Sequence, residues 1–134
     1  MMQSAAAPDL SNATIGQLLI PVSDLDRAVA FYRDTLGLRL LFTAPPQMSF
    51  FQAGEVRLLI GVPEGDSAGS HSAMIYLKVA DIRAVAATLE SRGVSFMHAP
   101  HVVHRTPTSE LWLAEFRDPD GNPLCLMYEG VPLG

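Results

Sequence analysis

Two stretches of this chain are variants of one another, and that echo limits the possible folds more than any other feature. LLIPVSDLDRAVAFYRDTLGL is matched further on by MIYLKVADIRAVAATLESRGV. Each reads as an apolar strand ending in valine, then aspartate with leucine or isoleucine, then an amphipathic run closed by glycine. Val22, Asp24 and Leu25 align with Val79, Asp81 and Ile82, and Gly37 with Gly93 one residue out of step. An offset of about 57 residues is too long for a solenoid unit and suits two copies of a small module.

Both amphipathic runs carry a helical period. Leu25, Ala28, Val29, Tyr32 and Leu36 recur at helical spacing, as do Ile82, Val85, Ala86 and Leu89. Ser23 or Asp24, and Asp81, are the expected N-caps. Gly37 and Gly93 supply the left-handed residue that ends a helix. Strands are expected after each helix: over 39–43, 48–53 and 56–60 in the first half, and over 94–97 (extending past Pro100), 110–116 and 124–128 in the second. Gly54-Glu55 is a short hairpin turn. Asp118-Pro119-Asp120-Gly121 has the residue preferences of a type I turn. The expectation is therefore α+β: two βαβββ modules, 14–62 and 73–129, within a single domain over 14–129. A Gly/Ser-rich linker spans 63–72, with a flexible N-terminal tail over 1–13 and a C-terminal tail over 130–134.

Strand side chains alternate, so parity sorts them into two faces. Leu18, Ile20, Val22, Val56, Leu58, Ile60, Ile75, Leu77, Val79, Leu124, Leu126 and Tyr128 form an almost wholly apolar set, which must lie under the helices. The opposite set mixes Gln17, Leu19, Arg57, Leu59, Met74, Tyr76, Lys78, Cys125 and Met127. It is too apolar for plain solvent surface and too polar for a second core. A curved mixed sheet around a ligand cavity, with the helices on its outer face, accounts for it. A wet outer face, or one buried by a partner subunit, is the alternative.

Composition narrows the function. The chain has 134 residues, 49% hydrophobic and 17% charged, which supports one compact core. A net charge of -5 without a basic run argues against nucleic acid. No apolar stretch is long enough to span a bilayer, and the first residues lack the pattern of a signal peptide. Cys125 is the single cysteine, so no internal disulfide forms. The expected location is cytoplasmic.

The paired strand-helix-strand modules, DLDRAVAFYRDTLGL after a strand, and DPDGNPLCLM near the end resemble the vicinal-oxygen-chelate superfamily. That group includes glyoxalase I, bleomycin-resistance proteins, fosfomycin-resistance transferases and extradiol dioxygenases. The resemblance covers about residues 14–129 and implies paired modules forming a U-shaped sheet around a cavity. It also implies metal-ligand positions, which fall here on Gln17, Leu59, Met74 and Cys125. Only Gln17 is an oxygen donor, and it is neutral, whereas divalent-metal enzymes need three or four imidazole or carboxylate ligands. No metal and no cofactor are expected. Cys125 is expected to be a small buried hydrophobe in the cavity wall.

Other side chains compete for a role. His98, His101 and His104 cluster; by spacing, His98 and His104 share a face of an extended segment and His101 does not. They are surface histidines, or line the cavity mouth in the case of His104 or His101. Trp112 packs either a flat ligand or the core. Glu115, Tyr76 and Cys125 are the candidates for proton transfer if the protein is an enzyme. Arg57 could hold a carboxylate or phosphate by paired hydrogen bonds, or simply pair with Glu55 or Glu115. The expected ligand-binding set is Gln17, Arg57, Leu59, Met74, Tyr76, His104, Trp112 and Cys125. The leading expectation is a homodimer that binds a small apolar or aromatic molecule in a metal-free cavity. The alternatives are a divalent-metal lyase of the lactoylglutathione-lyase kind, a dioxygenase, or a metal-independent enzyme using the same cavity.

Overall fold

The computed structural model describes residues 9, 11, 12, 14–63 and 73–134. Most of the expected N-terminal tail, and the expected linker apart from residue 63, fall outside the described residues. The first module is β1 (Gln17–Pro21), α1 (Leu25–Val29) continuing as a π-helical stretch (Ala30–Thr35), β2 (Arg39–Ala44), β3 (Met48–Ala53) and β4 (Val56–Gly61). The second is β5 (Ile75–Lys78), α2 (Ile82–Ser91), β6 (His101–Arg105), β7 (Glu110–Arg117) and β8 (Pro123–Gly130). These strands form two four-stranded sheets ordered β1-β4-β3-β2 and β5-β8-β7-β6. In each, the first strand runs parallel to the last and the other pairings are antiparallel. Both sheets are open and mixed.

The local signals act as chemistry requires. Asp24 and Asp81 cap the two helices, each carboxylate accepting from a backbone N–H three residues on. Ser23 is not a cap; its N–H and hydroxyl both donate to Asp120 of the other module. Gly37 and Gly93 have φ of 79° and 94°, the left-handed region that releases a helix without a Cβ clash. After each, the chain turns back to lay its strands under the helix. α1 packs on β3 and β4, and α2 on β7 and β8. The apolar parity set lies beneath them, with Ile20, Leu58, Ile60, Leu124 and Leu126 buried in one continuous core shared by both modules. Burying such a side chain contributes about 1.5–3 kcal/mol before entropy is counted.

Three local expectations are corrected. The first helix is not α-helical throughout: the Leu36 N–H donates to Phe31 O, five residues back. The widening coincides with Tyr32, whose ring is fully buried and whose hydroxyl is fixed in the other module. Tertiary demand overrides the 3.6-residue period there. Second, 94–97 is not a strand. Phe96 makes one isolated bridge to Phe116, and β6 begins only at His101, opposite Leu113. The chain takes five steps from Phe96 to His101 while β7 takes three, so two residues are extruded beside Pro100, which has no N–H to give a ladder. Third, β8 runs through Gly130, and the end of the chain is pinned: Leu133 N–H donates to Glu110, and Arg83 donates to the Gly134 carbonyl.

One polar knot fastens module to module. The Asp118 carboxylate, at the head of the DPDG turn, accepts from the Tyr32 hydroxyl at 2.8 Å and from the Asp120 and Asn122 N–H groups. The Asn122 side-chain amide donates both to Asp118 and to the Pro21 carbonyl of β1, each at 2.8 Å. Burial first, and the Asp118 charge second, push the Tyr32 phenol far above its ordinary range, so it stays a donor. Tyr32→Phe should lower stability by about 1–3 kcal/mol, because a buried carboxylate loses a donor while the ring still fills its site. Urea unfolding should show a lower midpoint at unchanged slope; an unchanged midpoint would mean the hydroxyl contributes nothing.

Candidate functional site

Strand pairing decides which side chains share the face away from the helices. In the first sheet, Gln17 lies opposite Arg57, Leu19 opposite Leu59, Phe50 opposite Leu59 and Phe42 opposite Phe50. This open face is graded. At one end Gln17, Arg57, Gln52 and Arg39 lie side by side across the strands. Toward the other end it is apolar: Leu19, Phe42 and Met48 are 53%, 49% and 38% exposed. Phe42 stacks on Phe50 with centroids 4.5 Å apart and planes 22° from parallel. Arg57 joins the two ends, its guanidinium 5.4 Å from the Phe50 centroid and its Nε donating to Gln17 Oε1 at 2.8 Å. Arg57 therefore pairs with Gln17, not with Glu55 or Glu115.

In the second sheet the corresponding face carries Tyr76 and Lys78 from β5, Cys125 and Met127 from β8, and Leu111, Leu113 and Glu115 from β7. A β-bulge between Val102 and His104 alters β6: His101 pairs with Leu113 and His104 with Leu111, so both histidines face this side. The expectation that His101 would point away from His104 is corrected by that extra residue. His98 lies edge-on to His101 at 6.0 Å. Glu115 sits opposite Cys125 and pairs with Arg117 at 3.3 Å. Cys125 is buried, its thiol donating to Leu126 O at 3.3 Å. Burial chiefly pushes that thiol up; the Ala114 N–H pulls it down, and the Glu115 charge pushes it up further.

Trp112 parts company with the other expected ligand residues. It pairs with Tyr128 on the helix-covered side of its sheet and is 8% exposed, with Arg83 4.6 Å over its ring. Its indole N–H donates to Glu110, which also accepts from Arg105 and from the Leu133 N–H. These bonds, that from Trp112 foremost, hold the Glu110 carboxyl below its ordinary range.

The four positions implied as metal ligands divide between the sheets: Gln17 and Leu59 on the first, Cys125 on the second, and Met74 just ahead of β5. Their donor chemistry does not fit a hard divalent ion. The only oxygen among them already accepts from a guanidinium, which would repel a cation placed beside it. Among the described residues, no three histidine, cysteine, aspartate or glutamate side chains converge as a metal cluster. A separate cavity of about 470 Å³ opens on the helix side, lined by apolar residues of both modules including Leu18, Val56, Leu58, Leu77 and Leu126. Of the expected ligand-binding residues, Tyr76 alone borders it.

Phe42 and Gln52 escaped the sequence argument because β2 and β3 reach the site only through pairing. The alternation of MSFFQA held the signal, with Phe50 and Gln52 on one parity and Phe51 in the core.

Residues 14–126 match the family model described as the Glyoxalase/Bleomycin resistance protein/Dioxygenase superfamily. No curated protein matches the sequence. Among solved structures, a member of that superfamily from Sphaerobacter thermophilus is 29% identical, with a TM-score of 0.70 over 87% of this chain and 97% of its own. TnmS3, an antibiotic binding protein from Streptomyces sp. CB03234, is 26% identical, with a TM-score of 0.71 over 90% of this chain and 98% of its own. A lactoylglutathione lyase from Agrobacterium tumefaciens shares the fold at 23% identity, with a TM-score of 0.68 over 88% of this chain and 95% of its own.

Two outcomes follow from the carboxyl and the thiol. Glu110 is depressed in the folded state, so its stabilisation is complete above the ordinary carboxylate range and disappears as pH falls through the folded value. Melting temperatures from about pH 7 to about pH 3 should drop less steeply in Glu110→Gln than in the parent. Cys125, buried and held protonated, should react with iodoacetamide at least about tenfold more slowly in native protein than in urea. Equal rates in the two conditions would show an accessible thiol.

Proposed function

Because the chain belongs to the Glyoxalase/Bleomycin resistance protein/Dioxygenase superfamily, we propose that it binds a small apolar or aromatic molecule on the open faces of its sheets, without a divalent ion as anchor. One observation carries this reading. Leu19, Phe42 and Met48 are large side chains left uncovered on a single strand face, over a stacked aromatic floor. Such a patch signals a binding surface. The Gln17–Arg57 pair at its polar end supplies donors for a carboxylate or carbonyl on the same ligand. A flat ring laid on Phe42 would extend the stack already begun on Phe50. The second sheet offers Tyr76, Met127, Leu113 and His104 for the other side of the ligand. A homodimer in which a second copy closes over these faces would turn them into a cavity. Likeness to an antibiotic binding protein at 26% identity supports sequestration of an aromatic compound as one form of this function.

The test is a thermal-shift and calorimetric screen of aromatic acids and polycyclic antibiotics. Binders should raise the melting temperature without chemical change. Phe42→Ser should weaken binding by about tenfold, the scale of a lost aromatic contact of about 1.5 kcal/mol. Arg57→Met should weaken acids selectively. Altered product by mass spectrometry would replace binding with catalysis. One equivalent of zinc, nickel or iron in protein purified without chelator, lost in Gln17→Ala, would overturn the metal-free reading.

A further inference from the structure

The first sheet stands apart from the rest of the chain in its charge. The whole chain carries a net charge of -5. Yet β1 to β4 read QLLIP, RLLFTA, MSFFQA and VRLLIG, without an aspartate, glutamate, histidine or lysine. Arg39 and Arg57 are their only charged side chains, and both are exposed. Register brings them to the open face in one row: Gln17 pairs with Arg57, Arg57 with Gln52, and Gln52 with Arg39. The two arginines stand two strands apart, about 10 Å between Cα atoms, so their long side chains can meet one group placed between them. The other arginines are satisfied within the fold. Arg27, Arg33, Arg105 and Arg117 each pair with a carboxylate. Arg83 donates to the Gly134 carbonyl and Arg92 to the Thr35 carbonyl. Among the described residues Arg39 makes no hydrogen bond or ion pair, and Glu55 in the adjoining turn pairs with neither arginine. Arg57 donates only from Nε, to the neutral Gln17 oxygen, which leaves its two terminal nitrogens open.

We infer that the ligand of this face is an aromatic phosphate monoester, its dianionic head held between Arg39 and Arg57; the inference rests on the reading that the face binds an aromatic body. A single carboxylate satisfies one guanidinium and leaves the other bare. A phosphate presents three acceptor oxygens and close to two charges, enough for both forks. The spacing agrees. Phe42 and Phe50 form the next row of the same face, about 7 Å along the strands from the arginines. A ring stacked on Phe42 therefore points a directly attached phosphate into the arginine row, beside the Arg57 guanidinium that already lies over Phe50. Arg57 serves any acid; Arg39 is the residue that selects the dianion.

Naphthyl phosphate is the probe, with naphthoate, naphthol and inorganic phosphate for comparison, titrated into the whole protein by calorimetry at about pH 8, where the ester is a dianion. The ester should bind about three- to fivefold more tightly than naphthoate, the scale of one further exposed ion pair. It should shift the Arg39 and Arg57 Nε–H resonances and leave those of Arg105 and Arg117 in place. Arg39→Gln, checked for folding by its melt, should erase that preference, weakening the ester about three- to fivefold and naphthoate by less than about twofold. Arg33→Gln, on the first helix, should change neither; an equal loss there would overturn the site in favour of the general field of the protein. Arg39→Gln combined with Arg57→Met should lose less than the product of the single losses, because both side chains hold one group. If the ester binds no better than naphthoate while Phe42→Ser still weakens both, the phosphate assignment falls and the aromatic reading stands. If no naphthyl compound saturates, or Phe42→Ser changes nothing, the aromatic reading falls and takes the assignment with it. An unaltered preference in Arg39→Gln, or inorganic phosphate binding as tightly as the ester, would also overturn it.

Discussion

The arrangement depends first on one buried carboxylate. Asp118 gathers donors from its own turn, from Asn122 and from Tyr32 of the other module. Asn122 then reaches the carbonyl of Pro21 at the end of β1. A buried carboxylate is tolerable only when its lone pairs are satisfied, so the knot permits little freedom in how the second sheet sits against the first. Ser23 and Arg27 extend it outward through Asp120, at the start of the first helix. The shared core fills in behind this clasp.

Apolar matter is then distributed unequally between the two sides of each sheet. The helix side is nearly all aliphatic and aromatic. The other side is a gradient from paired polar groups to uncovered Leu, Phe and Met. On the proposed function that gradient serves recognition: one end would satisfy a polar group, while the other would remove a hydrophobic body from water. Of the four positions implied as metal ligands only Gln17 brings an oxygen, and Arg57 engages it. On the helix side a cavity stays open between the modules.

Much of the fold was legible because each element carries its own local signal. Asp24 and Asp81 start helices, Gly37 and Gly93 stop them, and alternation in VRLLIG and PLCLMYEG separates core from open face. The misses share a cause. The π-helical stretch at Tyr32, the extruded pair before His101 and the bulge before His104 each answer to a distant partner: Asp118, Phe116 and Leu111 respectively. Periodicity cannot report a register set across a ladder. Trp112 was ambiguous for the same reason, since its side of the sheet follows from its pairing with Tyr128.

Sequence alone determined the two-module plan, the apolar side of each strand and the poverty of hard donors at the metal positions, because all three are carried by residue type and local spacing. Only the tertiary structure decided that Arg57 engages Gln17, that Phe42 stacks on Phe50, and that the modules are clasped at Asp118 and leave a cavity on the helix side. Those outcomes depend on which strands lie beside one another and in what register, and that is settled by the packing of the whole chain.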